Sequence, residues 1–162
     1  MTTFHNAAAT LPSLLSDLAD RAVLHAQSLR NGADRAALSR VRDPAWSLAE
    51  AQPDQHTQPI MLHWSTYPAV LECDFKGFTL ATLDSPYPHA LSRRTMIGQA
   101  SISTVHLWFK RLHFFATWLQ HRGIDRLYEV TDRDLDLYLD HVLSIQASTN
   151  TRRQLLNAVR AV

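Results

Sequence analysis

The stretch SISTVHLWFKRLHFFATWLQHRG, Ser101–Gly123, decides the fold. Within it Ile102, Val105, Phe109, Leu112, Ala116 and Leu119 recur at steps of three and four, which lays one apolar seam along a helix predicted over about 101–122. Ser101 or Ser103 can cap its start, and Gly123 stands where a left-handed residue ends a helix. Downstream, a connector over 124–130 leads to Thr131, with Asp134 three residues on as an acidic capping box. Leu135, Tyr138, Leu139, Val142 and Ile145 then carry a second helix over about 132–146. Ser148, Thr149 or Thr151 opens a third, with Leu155, Val159 and Val162 on its apolar side. No glycine, proline or polar tail follows, so the reading expects this helix to be incomplete at Val162 and more protein to follow it.

Upstream, Leu14, Leu15, Leu18, Ala22, Leu24, His25 and Leu29 suggest a helix over about 13–30, stopped by Asn31-Gly32. A shorter helical piece is expected over Ala33–Val41, and another over Ala45–Ala51 behind Asp43-Pro44. The polar, proline-bounded Pro53–Pro59 marks a linker. The runs Val70–Phe75 and Phe78–Leu83 flank Lys76-Gly77 and are expected to pair as a β-hairpin. Pro86 and Pro88 break the pattern, and a boundary is placed near 88–98. The expected architecture is thus mainly α. A helical extension with a small β element, 1–90, precedes a helical domain, 93–162.

The formal net charge of +1 hides an uneven division. From Arg93 onward ten Lys/Arg stand against six acids, a local charge of +4, which leaves −3 for residues 1–92. A polyanionic partner would therefore meet the second part. Cys73 is a lone cysteine, so no internal disulfide forms and a reducing, cytoplasmic setting is expected. No apolar run approaches the length of a membrane span, and the first residues lack a signal-peptide pattern, so no membrane partner is expected. Nine histidines include no His-Glu-x-x-His pair, and the four glycines form no phosphate loop. The sequence offers no catalytic residue, metal or cofactor site.

On the third helix Arg153, Asn157 and Arg160 fall at i, i+4 and i+7 and share a face, with Arg152 beside them and the hydroxyls of Thr149 and Thr151 at the N-terminus. Hydroxyls suit phosphates, and Arg and Asn suit base edges in a major groove. A solvated helix face has the same spacing. Lys110 and Arg111 add positive charge on the long helix. Asp132, Asp136 and Asp140 form an acidic stripe on the middle helix, expected to point away from DNA. Trp108, Phe114, Phe115 and Trp118 exceed one seam's needs, so some should pack on the β element or on a partner.

These helices together resemble the N-terminal core-binding (SAM-like) domain of tyrosine recombinases, the phage-integrase class. The resemblance runs through Leu112–Leu119, Gly123-Ile124, Glu129–Leu135 with Tyr138-Leu139, and Ser148–Arg160, and covers about 93–162. It implies a domain that clamps double-stranded DNA at a recombination site, beside other recombinase protomers, in DNA integration and recombination. Carried over by position, the implied contacts are Thr149, Thr151, Arg152, Arg153, Asn157 and Arg160, with Lys110 and Arg111 as further candidates. The family's catalytic residues sit in a separate C-terminal domain that these residues do not include, and neither Tyr128 nor Tyr138 lies in its tyrosine motif. The rival reading is a free-standing helical protein-interaction module with no nucleic-acid role.

Overall fold

The computed structural model describes residues 15–54, 58–85, 100–160 and 162. The chain is mainly α with one small antiparallel sheet. Strands β1 (Ala45–Ser47) and β2 (Met61–His63) pair in the register Ala45↔His63, Trp46↔Leu62, Ser47↔Met61. Helices α1 (Ala69–Asp84), α2 (Ile102–His121), α3 (Asp132–Ser144) and α4 (Thr149–Val159) follow. One hydrophobic cluster runs from Leu15 to Ala158, so residues on both sides of 86–99 share a core. The boundary expected near 88–98 lies outside the described residues.

The second part of the chain follows its sequence signals closely. In α2 the Ser101 hydroxyl accepts the Thr104 N–H, and Ile102, Val105, Phe109, Leu112, Phe115, Ala116 and Leu119 are buried. Its end is a Schellman turn: Ile124 N–H bonds the Leu119 carbonyl and Gly123 N–H the Gln120 carbonyl, both at 3.0 Å, with Gly123 at φ 73°. Thr131 and Asp134 cap α3 reciprocally. The Asp134 carboxylate accepts the Thr131 N–H and hydroxyl, and these bonds hold its pKa below the usual range. Helix α4 closes at Val159 with Arg160 as its C-cap rather than running through Val162.

The first part departs from expectation. In place of a helix over 13–30, only Leu15–Asp17 of the described residues are helical, and the chain turns so that Ala22 bridges Arg40 antiparallel. Long-range contacts override the local pattern here: Arg21 pairs with Asp84, and the Gln27 amide donates to the Leu83 carbonyl at 2.6 Å. Of the piece expected over 33–41 only the 3-10 turn Arg35–Ala37 forms. Asp43 does not cap a helix over 45–51; its carboxylate takes the Arg40 N–H at 2.7 Å, and β1 and a 3-10 turn, Ala49–Ala51, stand there. The β element is therefore made by 45–47 with 61–63.

The hairpin expected over 70–83 is instead α1. Leu71, Phe75, Thr79 and Leu83 lie four apart and are all buried, a helical period hidden because apolar residues also fill the positions between. A Lys76-Gly77 hairpin turn would want a positive φ, which among the described glycines only Gly32 and Gly123 adopt. Lys76 is itself buried. Its ammonium pairs with Glu72 at 2.9 Å, donates to the Asp43 carbonyl at 3.2 Å, and lies 5.9 and 5.8 Å from the Trp46 and Trp64 rings.

Two aromatic joints fix the helices. Trp64, Tyr67 and Phe109 pack within 5.3 Å of one another, and the Tyr67 hydroxyl donates to the Phe109 carbonyl at 2.6 Å. This ties the turn after β2 to mid-α2. Burial pushes the Tyr67 phenol well above its ordinary range. At the other joint Phe115 and Trp118 lie 4.7 and 5.3 Å from Tyr138, and Trp108 meets Phe78 of α1. The surplus aromatics therefore pack on helices α1 and α3, not on the β element.

Asp74, 4% exposed, accepts two bonds from the Arg126 Nε (3.3 and 3.2 Å), one from its Nη2 (3.0 Å) and the Leu127 N–H (2.8 Å). A buried carboxylate so fully satisfied makes its partners expensive to strand. Asp74→Ala is expected to destabilise the chain by about 3 kcal/mol in urea unfolding, because it leaves Arg126 and the Leu127 N–H without their acceptor. The lowered pKa of Asp134 gives a second expectation. A carboxylate held below its unfolded value contributes stability that is fully present above that unfolded value and is lost as pH falls through the folded one. The start of α3 should therefore loosen under acid in wild type, and Asp134→Asn should remove that acid dependence, read by amide exchange at 131–135.

Candidate nucleic-acid interface

Helix α4 is short, 11 residues, and its start is set by Ser148, whose hydroxyl accepts the Thr151 N–H at 3.1 Å. Leu155 and Ala158 are buried and dock it on the bundle. The opposite side carries Arg153, Asn157 and Arg160, while Thr151 lies on the docking stripe before Leu155 at the exposed first turn. Thr149, Thr151, Arg153, Asn157 and Arg160 are all exposed. The Thr151 hydroxyl shares a hydrogen bond with Ser148 at 2.9 Å, and Arg153 donates to the Asn150 side chain at 2.9 Å, so both are steadied locally.

Two other candidates hold the helix in place instead. Arg152 is half-buried and donates from Nη2 to the Ile145 carbonyl at 2.7 Å, closing the connector between α3 and α4. Arg111, also half-buried, donates to the Gln154 side chain at 2.8 Å and bolts α2 to α4. Lys110 is exposed on α2. The structure thus divides the eight residues into an exposed set and two braces.

Charge is deployed differently in the two parts of the chain. Upstream, Arg21, Arg30, Arg42 and Lys76 are each paired with a carboxylate. Arg126 pairs with Asp74, and Arg122 lies 3.9 Å from Asp134. Among the described residues Arg35 and Arg40 upstream, and Lys110, Arg111, Arg133, Arg152, Arg153 and Arg160 downstream, form no ion pair. An arginine without an internal ion pair leaves its charge available to an external anion.

Beside that face runs a groove of about 600 Å³ between α3 and α4. Its walls include Leu135, Leu139, Leu143, Leu156 and Val159, and Arg153, Asn157, Arg160 and Asp136 stand along it. Leu135 (40% exposed) and Leu139 (39%) were expected on the apolar side of the helix, yet the core-facing residues of α3 are Tyr138 and Val142, and Leu143 is open as well (52%). The signal was present: two apolar stripes on a helix of 13 residues exceed what one seam buries. Asp136 of the acidic stripe lines the same groove, because the stripe lies next to the leucines that form its wall.

No group of three or more His, Cys, Asp or Glu able to hold a metal occurs among the described residues, and none of their helices is long and apolar enough to cross a membrane. Comparison with known proteins returns no matching family model, no matching curated protein and no matching solved structure.

The division between exposed residues and braces is testable by unfolding. Arg111→Ala is expected to lower stability by about 1–2 kcal/mol, through loss of a charge-assisted bond between helices, whereas Arg153→Ala and Arg160→Ala should each stay within about 0.5 kcal/mol of wild type.

Proposed function

We propose that the chain is a site-specific DNA-binding unit of the core-binding type, the N-terminal part of a cytoplasmic tyrosine recombinase acting in DNA integration and recombination. The observation that carries this reading is the exposed face of α4, where Arg153, Asn157 and Arg160 project without an ion pair among the described residues beside two exposed threonines. Guanidinium and amide groups on one rigid helical face can read base edges in a major groove, and the hydroxyls at its N-terminus can take phosphates. Arg111 and Arg152 would serve this by fixing the angle of α4, and Lys110 by a backbone contact. Strand cleavage and rejoining would belong to a separate domain.

A second reading has its own support. The open leucines of the α3–α4 groove are what a protein-interaction module exposes, and Asp136 on the groove would repel a phosphate brought to that side. Duplex DNA would therefore meet the α4 side of the groove, where Arg153, Asn157 and Arg160 stand.

The full chain should bind duplex DNA with a log–log salt slope proportional to the phosphates contacted, about −0.9 for each. Arg153→Ala or Arg160→Ala should weaken binding about tenfold while the helical circular dichroism stays unchanged. A salt-independent interaction, or none, read by fluorescence anisotropy would leave only the protein-interaction reading.

A further inference from the structure

The groove between α3 and α4 asks for a particular complement. Its apolar wall of Leu135, Leu139 and Leu143 needs aliphatic side chains, Arg153 and Arg160 need carboxylates, and Asp136 needs a base. An amphipathic surface with a leucine stripe, an acidic stripe beside it and arginines across from both would satisfy all three. The chain carries that surface itself. On α3 the exposed Asp132, Asp136 and Asp140 run beside the leucines at the same four-residue step, and α4 supplies the arginines.

We propose that the groove is a self-association surface, closed by the α3–α4 face of a second copy of the chain. A two-fold axis makes such a contact reciprocal: whatever one α3 offers the other copy, the other α3 offers back. Antiparallel α3 helices would interleave Leu135, Leu139 and Leu143, and Asp136 and Asp140 of each copy would meet Arg153 and Arg160 of the other. Within one chain none of these four charged residues has an ion-pair partner among the described residues, so all four are available. With 13 residues α3 is about 20 Å long, enough for three turns of contact. The association would also cover Arg153, Asn157 and Arg160. Where the DNA reading holds, and only then, duplex DNA and the second copy compete for one face.

Sedimentation of the full chain tests this. Wild type should shift with concentration from its 18.4 kDa monomer toward a dimer. Leu139→Asp, at a position open enough to accept it, should weaken dimerisation about tenfold or more with unchanged circular dichroism. Two charge-reversed chains give the sharper result. Asp136→Arg with Asp140→Arg sets bases against the second copy's arginines, and Arg153→Asp with Arg160→Asp sets acids against its aspartates. Each should be monomeric alone, and an equimolar mixture should form the heterodimer, since both contacts are then opposite in sign. A wild type that stays monomeric overturns the proposal, as do reversed chains that dimerise alone or a mixture that does not associate. Added duplex should dissociate the wild-type dimer. A dimer indifferent to DNA that the chain does bind overturns the competition, whereas a dimer in a chain that binds no DNA leaves the groove proposal standing and removes the DNA reading.

Discussion

The buried carboxylate of Asp74 organises the path of the chain from α1 to the last helix, α4. It lies within a helix that also carries Leu71 and Phe75 into the core, and it can be buried only because Arg126 and the Leu127 N–H satisfy it. That fixes the connector after α2 directly against α1. The connector in turn delivers Thr131, whose capping box with Asp134 sets where α3 starts. Tyr138 and Val142 then face inward, Leu135 and Leu139 outward, and α4 docks through Leu155 and Ala158 with Arg153 and Arg160 exposed along its groove with α3. The groove and the arginine face are consequences of that chain of positions.

What the sequence discloses divides at about residue 100. Helices α2, α3 and α4 are legible because each has an uninterrupted three- and four-residue step and a side-chain cap at its start, Ser101, Thr131 and Ser148, with Gly123 to end the longest. The first part is not legible by the same means. Its strands are three residues long, and their positions are set by contacts distant in sequence, such as Trp46 against Trp64 and Arg21 with Asp84. Helix α1 is a different failure. Buried Asp74 and Lys76 interrupt the apolar period with charges whose partners, Arg126 and the two tryptophans, only the folded chain brings near.

The site was legible as a set of residue types and not as a geometry. Arg153, Asn157 and Arg160 share an exposed face as their spacing requires. Arg111 and Arg152 look the same in sequence, yet they are spent on Gln154 and on the Ile145 carbonyl. No spacing rule separates an arginine that braces a helix from one that reads with it. The groove beside them was invisible because Leu135 and Leu139 were placed on the helix's apolar seam. A helix of 13 residues packed along one side only leaves its second apolar stripe open.

The proposed function has α4 present a prepared face to duplex DNA. It is tested most directly by following backbone amide resonances of the isotopically labelled full chain as duplex is added at low salt. The account predicts shifts concentrated in residues 148–160 and at Lys110, with residues 15–85 unmoved and the pattern lost as salt rises. Shifts centred on residues 15–85, or no change at any duplex concentration, would contradict it.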